Sequence, residues 1–318
     1  MTAKRAIGNE VGQGMHIGKD NLDWLQGMLN VQKSVIPAIL PRVLCCSLFG
    51  GLVAWLHILG LPVANPGLEN IVPTLVLGLL LVFRTNTAYD RFWEGRKIWG
   101  KILCSSHNIA QQIWVSIEER EPEDRTQKQA ILRLVIAFAI STKLYLRDES
   151  VDELKELVSP KQYAMLQSAN HPPLTVVLWI RDYLNTQSKR DCLNVYQMNE
   201  IFKLLNTLVE SVGATERILR TPLPAAYSIH LKQLLLIYCL ILPFEIVGHL
   251  GWMTSVSTGL ISFTLLGIEE IGLEIENPFG RDPNDLPLDT ICQTMKCNIE
   301  DLMSLDASSS EIIGEKLE

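Results

Sequence analysis

The stretch from Ile71 to Trp99 reads IVPTLVLGLLLVFRTNTAYDRFWEGRKIW, and it decides the class of the fold. Its first thirteen residues, up to Phe83, are mostly apolar, and from Arg84 onward basic and aromatic residues take over. A helix that leaves a bilayer has this pattern, because Lys and Arg gather on the cytoplasmic flank and Trp and Tyr gather at the interface. The stretch therefore predicts a membrane protein.

The composition of the 318-residue chain indicates a membrane protein with a large water-exposed portion. Apolar residues make up 47% of the chain and the mean hydropathy is +0.17, which is high for a soluble protein and low for a chain buried wholly in lipid. The net charge of −7 argues against nucleic-acid binding as the main role.

An all-α fold with four transmembrane helices is predicted, with spans at residues 43–61, 71–90, 231–250 and 254–273. The apolar part of the second span would reach only about 20 Å, so it can cross only where its end is wet or surrounded by protein. The apolar run Ile131–Ile140 is too short for a span and fits a buried helix of a cytosolic body better.

The placement of Lys and Arg sets the expected topology. The turns at residues 62–70 and 248–255 hold no Lys or Arg, so both termini are expected in the cytoplasm. A helical cytosolic body is expected at about 91–229 and 274–302, which makes residues 1–302 a single domain. A short amphipathic helix is expected at residues 21–30 and a flexible tail at 303–318.

Leu75, Leu79 and Phe83 follow one another at intervals of four residues, so they form one stripe along about 12 Å of helix. If several copies of the helix surround an axis, the stripe becomes a stack of apolar rings, which can gate ions because a narrow apolar tube holds water poorly. The alternative is a stripe that faces lipid or partner helices. The short length of the apolar run favours the pore interpretation.

Five basic residues follow this stripe: Arg84, Arg91, Arg96, Lys97 and Lys101. The tendency of basic residues to lie on the cytoplasmic side explains most of them. A second interpretation is that some of them, with Arg84, Arg91 and Arg96 as the candidates, line a wide vestibule and raise the local anion concentration.

Two further segments have a functional and a structural interpretation. Pro222 and Pro224 fix the backbone around Leu223, which could present this side chain at a second constriction or simply form a corner between helices. The acidic region 269–289 could ligate a hard cation through oxygens, but it lacks the spacing of an EF-hand loop, and a capped structural turn explains it equally well.

The motifs of common enzymes are missing from the sequence. None of the six histidines lies in HExxH, and the chain has neither GxSxG nor a Gly-rich phosphate loop. The sequence therefore predicts neither an enzyme nor a bound cofactor.

Three segments resemble the bestrophin family of ion channels: FRTNTAYDRFWEGR at Phe83–Arg96, TPLPAAY at Thr221–Tyr227 and ENPFGRDPNDLPLD at Glu276–Asp289. The similarity runs from about Trp24 to Leu302, and the PNDLPLD ending is closer to the prokaryotic and plant branch. The resemblance implies a homopentamer with one axial pore, an apolar neck and a second cytosolic aperture. By position the neck falls on Leu75, Leu79 and Phe83, and the aperture on Leu223.

The sequence departs from the animal bestrophins in two places. Animal members carry consecutive acids after NPFG that form a calcium clasp, whereas here Arg281 and Pro283 interrupt the series. Asp282 and Asp285 remain as a remnant, and no metal site is predicted. The neck has Leu at two positions where animal members use Ile and Phe, and Leu lacks the positive ring edge that an aromatic offers to an anion.

The expected function is passive conduction of chloride or another small inorganic anion, with bicarbonate as a further candidate. A cation-selective channel of the same architecture is the first alternative, and a secondary anion transporter the second. A transporter would need a mid-membrane substrate site and usually an internal repeat, and the sequence shows neither. The expected surroundings are the lipid bilayer of a bacterial inner membrane, with the thylakoid membrane as the alternative.

Overall fold

The structure, a computed structural model, describes residues 34–65 and 71–304. These residues form the helices α1 (Ile36–Ile58), α2 (Ile71–Ser116), α3 (Asp124–Leu146), α4 (Pro160–Ser168), α5 (Pro172–Lys189), α6 (Val195–Arg220), α7 (Ala225–Leu250), α8 (Thr254–Glu274) and α9 (Leu288–Ser304), with 3₁₀ turns at Val151–Leu154 and Gly251–Met253. The predicted all-α fold is confirmed. The helix expected at 21–30 and residues 305–318 of the expected tail lie outside the described residues.

The described chain divides into two compact units. The first comprises residues 34–65 and 238–270, and the second comprises residues 71–237 and 271–304. The prediction of a single domain over residues 1–302 stays a prediction.

In the first unit, small polar residues join α1 to α8. The Ser47 hydroxyl donates to the Ser255 carbonyl oxygen at 3.1 Å, and the Ser255 hydroxyl donates to the Ser47 carbonyl oxygen at 2.8 Å. Reciprocal hydrogen bonds from small side chains to the facing backbone form where two helices approach closely, as helices that associate in lipid do. Gly251, with φ of +55°, supplies the left-handed residue between α7 and α8.

The outer face of α1 is apolar and bare. Leu44, Leu48, Trp55 and Ile58 repeat at helical spacing and are each at least half exposed. Of the most apolar 18-residue stretch of α1, only 22% is buried inside the chain. An apolar face of this size is typical of contact with lipid. Helix α1 begins at Ile36 rather than at residue 43, because Pro37 fits the first turn and Pro41 is accommodated within the helix.

Three described segments are long and apolar enough to cross a membrane: Ile36–Ile58, Asp124–Leu146 and Ala225–Glu274. The 50-residue third segment contains the predicted spans 231–250 and 254–273. The predicted span at 71–90 is not among these segments, so the count of four remains a prediction. That span is the beginning of α2, which continues without a break for 46 residues.

The core of the second unit lies among α2, α3, α5 and α6. Helix α3 is at its centre. Of its most apolar 18-residue stretch 78% is buried inside the chain, whereas the corresponding share for the Ala225–Glu274 segment is 28%. The Phe138 and Trp99 side chains are fully buried there. This burial confirms that the run Ile131–Ile140 belongs to a helix packed in protein.

The segment between α8 and α9 belongs to the second unit and is anchored there by its Phe279 ring. That ring is fully buried, and a Cβ atom on Gly95 of α2 would lie 3.1 Å from it, so the close approach favours glycine at this position. Arg147 donates to the Phe279 carbonyl oxygen at 3.0 Å, and Arg281 forms a bidentate pair with Glu149. The ENPFGRDPNDLPLD motif thus acts as a docking turn within its own chain.

Candidate functional site

Leu75, Leu79 and Phe83, named the neck stripe below, lie on an uncovered face of α2. Their exposed fractions are 70%, 53% and 55%. Leu77 and Leu81, on the other side of the same helix turns, are buried to 3% and 2% exposure. The helix therefore packs against its own chain with one face and leaves the neck stripe bare.

Helix α2 continues through the polar residues that follow because their hydroxyl groups form hydrogen bonds within the helix. The hydroxyl of Thr85 donates to the carbonyl oxygen of Leu81, and that of Thr87 donates to the carbonyl oxygen of Phe83, both at 2.9 Å. Such bonds to the preceding turn let a hydroxyl lie on a helix without breaking the backbone ladder. The neck stripe and the basic region therefore share one continuous helix.

Asp90, Lys97 and Lys101 continue the face of the neck stripe. At 100° per residue they fall within about 40° of the centre of the stripe, and all three residues are exposed. The two lysines belong to the basic group that the sequence predicts, whereas Asp90 is a further residue of this face that was not predicted. The spacing that identifies the stripe also identifies this carboxylate, at seven residues beyond Phe83.

Arg84 lies on the opposite face of α2 and is buried. Its residue exposure is 1%, and its Nη2 atom lies 3.4 Å from the Glu276 Oε2 atom. The Arg84 Nε and Nη1 atoms have no hydrogen-bond partner among the described residues. The side chain thus lies inside its own chain rather than on the surface that carries the neck stripe.

Arg91 binds backbone carbonyl groups with all three of its nitrogen atoms. Nη2 and Nη1 donate to the carbonyl oxygens of Ile218 and Thr221 at the end of α6, and Nε donates to that of Glu276 at 3.1 Å. The last carbonyls of a helix lack partners and carry partial negative charge, so an arginine at this point caps the helix. Arg96, by contrast, is exposed, whereas Arg91 is half-buried and Arg84 is buried.

Leu223 lies half-buried in the corner between α6 and α7. Its backbone N–H donates to the Glu276 Oε1 atom at 3.1 Å. Four residues later, the Tyr227 hydroxyl donates to the Leu80 carbonyl oxygen at 2.7 Å, between Leu79 and Phe83 of the neck stripe. The segment with Leu223 is therefore a helix corner, and it is also bonded directly to α2.

Glu276 has a role that the sequence does not predict. It belongs to the acidic region 269–289, and in the structure its two carboxylate oxygens contact Arg84 and the Leu223 N–H. These partners are 192 and 53 residues away in the chain. The available signal was its position as the first residue of the ENPFG segment, but neither partner follows from that position.

The acidic turn uses its carboxylates for internal bonds. Asp285 Oδ2 accepts the Asp282 N–H at 2.8 Å, and Glu274 accepts a hydrogen bond from the Asn284 amide at 2.7 Å. Burial, helped by the charges of Asp282 and Glu274, raises the pKa of Asp285 to about 6. Among residues 34–65 and 71–304 no group of three or more His, Cys, Asp or Glu is placed to hold a metal ion.

Residues 15–301 of the sequence match a family described as Bacterial/Fungal Bestrophin protein. The chain is 58% identical over 294 residues to a voltage-dependent anion channel-forming protein of Nostoc sp., and the alignment covers 92% of this chain and 96% of that protein. A protein of the same description from Synechocystis sp. is 50% identical over 283 residues, with coverage of 89% and 92%.

Solved structures of membrane proteins have the same architecture as this chain. A variant of a bacterial bestrophin homologue from Klebsiella pneumoniae superposes with a TM-score of 0.75 at 25% identity, covering 84% of this chain and 99% of that chain. A second crystal structure, of a membrane protein, has a TM-score of 0.76 at 26% identity and covers 85% and 98%.

Proposed function

Because the chain belongs to the bacterial and fungal bestrophin family, we propose that it forms a passive channel for chloride and other small anions, including bicarbonate. Relatives that match about nine-tenths of the chain are described as voltage-dependent anion channel-forming proteins. The observation that carries the proposal is the bare neck stripe on a helix whose other face is packed. A conduction pathway lined by apolar side chains needs such a face.

The neck stripe forms the narrow part of the pathway in a homopentamer. Five copies of α2 around an axis place three apolar rings one above another, about 12 Å from the first to the last. A narrow apolar tube empties of water and blocks ions, and a small widening fills it again. The short apolar run fits this position, since a helix surrounded by other helices and lipid need not span the bilayer by itself.

Leu223 forms the cytosolic aperture. Its backbone is fixed by flanking prolines and by the hydrogen bond to Glu276, so the side chain is presented on a rigid corner. Direct bonding of this corner to α2 through Tyr227 supports a pathway in which the aperture and the neck belong to one rigid unit.

The vestibule charge comes from Lys97 and Lys101, which share the face of the neck stripe, together with the exposed Arg96. Arg84 and Arg91 instead hold the chain together, because the first is buried and the second is occupied by three carbonyl groups. Three cations at the mouth raise the local anion concentration.

A cation channel of the same architecture is the second candidate, and Asp90 is the observation that favours it. This carboxylate lies on the same face, between the neck stripe and the lysines, and a ring of five carboxylates would attract cations. The lysines outnumber it on this face, which is why we propose an anion channel.

The proposed assembly is a homopentamer in a lipid bilayer with both termini on the cytoplasmic side. The bacterial inner membrane is the proposed location and the thylakoid membrane the alternative. The absence of Lys and Arg from residues 62–70 and 248–255 of the sequence supports this orientation.

The decisive experiment is recording from the purified protein in a planar bilayer under a KCl gradient. A reversal potential near the chloride equilibrium value is the expected result. A value near the potassium equilibrium would favour the cation channel. Currents that are absent in wild type and in the variant with alanine at all three neck-stripe positions would contradict both.

A further inference from the structure

The Glu276 carboxylate connects the two constrictions proposed above. Its Oε1 atom accepts the backbone N–H of Leu223 at 3.1 Å, and its Oε2 atom lies 3.4 Å from the guanidinium of Arg84, the residue after Phe83. One side chain thus touches the backbone of the aperture and the helix turn that carries the last ring of the neck. All of these residues lie in one compact unit.

The Arg84 side chain depends on this carboxylate. The guanidinium is fully buried, two of its nitrogen atoms lack hydrogen-bond partners, and Glu276 is the one carboxylate within 4 Å of it among the described residues. A buried cation that loses its counter-charge must move or acquire a new partner. A change at Glu276 therefore acts on α2 as well as on the corner with Leu223.

Several neighbouring hydrogen bonds hold the same helices together without using the Glu276 side chain. Arg91 holds the end of α6 and the Glu276 backbone, and Tyr227 holds the Leu80 carbonyl group. These bonds do not use the Glu276 side chain, so they survive its replacement and keep the surrounding helices in place. The side chain adds the link between Arg84 and the Leu223 backbone.

We propose that Glu276 is a positioning residue that couples the cytosolic aperture to the neck. This inference rests on the proposed function, because it assigns Leu223 and the neck stripe to one ion pathway. Coupling of two sites means that a change at one alters the effect of a change at the other. The coupling free energy is the same in both directions. The structure supplies the physical contact between them.

The test is single-channel recording of Glu276→Ala, Leu223→Ala and the double variant in planar bilayers. Loss of a hydrogen bond to a charged group shifts an equilibrium by about tenfold, so we expect the open-to-closed ratio of E276A to change by about that factor. In the L223A background the further change caused by E276A should be smaller than in wild type, because only the contribution through Arg84 and α2 remains.

Two further variants separate positioning from general disruption. Glu276→Gln keeps an oxygen that can accept the Leu223 N–H, so a property set by Leu223, such as rectification, should remain as in wild type while the open-to-closed ratio shifts. Glu274→Gln is the matched control, since Glu274 lies two residues away and bonds the Asn284 side chain instead. It should record as wild type. Size-exclusion chromatography checks that each variant assembles, and E276Q replaces E276A if the latter does not.

The outcomes distinguish the coupling from the channel itself. If L223A changes the currents but E276A and E276Q record as wild type, or if the effects of E276A and L223A multiply independently, the coupling is wrong and the channel stands. If neither wild type nor the variant with alanine at all three neck-stripe positions passes current, or if the currents of L223A match those of wild type, the proposed pathway through Leu223 is wrong and the coupling is overturned together with it.

Discussion

Replacing Glu276 by Leu should destabilise the protein, because the buried Arg84 guanidinium then loses its counter-charge. Breaking a buried ion pair by removing one partner costs about 3–5 kcal/mol, because the remaining charge stays buried without compensation. The Glu276 side chain is 16% exposed and lies 3.4 Å from Arg84. Because water can reach this carboxylate, the lower figure of about 3 kcal/mol applies. For a domain of this size that loss lowers the melting temperature by about 6 °C.

The partner substitutions make the reasoning testable. Arg84→Met should cost only about 1 kcal/mol, because the remaining carboxylate still accepts the Leu223 N–H and reaches water. The double variant R84M/E276L removes both charges, and replacing a whole buried pair by apolar groups is often neutral or stabilising. It should therefore melt several degrees above E276L.

The assay is thermal unfolding of the purified protein in detergent at one fixed scan rate, since unfolding of a large membrane assembly is commonly irreversible. The reasoning is refuted if E276L melts with wild type, or if the double variant melts no higher than E276L. The first result would mean that Arg84 is hydrated, and the second that the cost comes from lost packing rather than from charge.

Three further predictions concern the neck, the vestibule and the acidic turn. Alanine at all three neck-stripe positions should raise the single-channel conductance and weaken gating, with little change in the melting temperature, because these side chains are at least half exposed in the chain; unchanged currents would remove the stripe from the pore. Asp90→Asn should increase the chloride-to-potassium permeability ratio and Lys97→Glu should decrease it, as measured by reversal potentials under a KCl gradient; a shift of both in one direction would contradict the proposed vestibule. The folded-state pKa of Asp285 is about 6, above the ordinary 3.8, so the folded state binds this proton more tightly and loses stability as the pH rises through that interval. After allowance for partial exposure, Asp285→Asn should be more stable than wild type by about 1 kcal/mol at pH 8 and equal to it near pH 4 in thermal unfolding, whereas equal melting temperatures at pH 8 would show that the carboxyl is not held in a poorly hydrated site.

The parts of the fold that follow from local pattern were predictable from the sequence. The spans at 231–250 and 254–273 lie within helices of the structure, and the run Ile131–Ile140 lies in a buried helix as expected. Their hydropathy and length depend only on neighbouring residues. The boundaries were less predictable, since Pro41 reads as a break in the sequence but is accommodated within α1.

The roles of the charged residues could not be predicted in the same way. Arg84 and Arg91 appear in the sequence as members of one basic cluster with Arg96. The structure separates them, because the partners of the first two are between 127 and 192 residues away in the chain. Charge density along a sequence does not reveal which face of a helix is covered, and helical phase together with tertiary packing decides it.

The length of α2 has a mechanical consequence. A continuous helix of 46 residues is a rod about 69 Å long, and about 50 Å of it lies between Phe83 and Ser116. A tilt of about 3° at the neck end displaces the far end by about 2.6 Å, close to the diameter of a water molecule. Because Ile109 and Ile113 near the far end of the rod are fully buried in the core of the second unit, the rod cannot tilt without that core, and the neck stripe and the core move as one body.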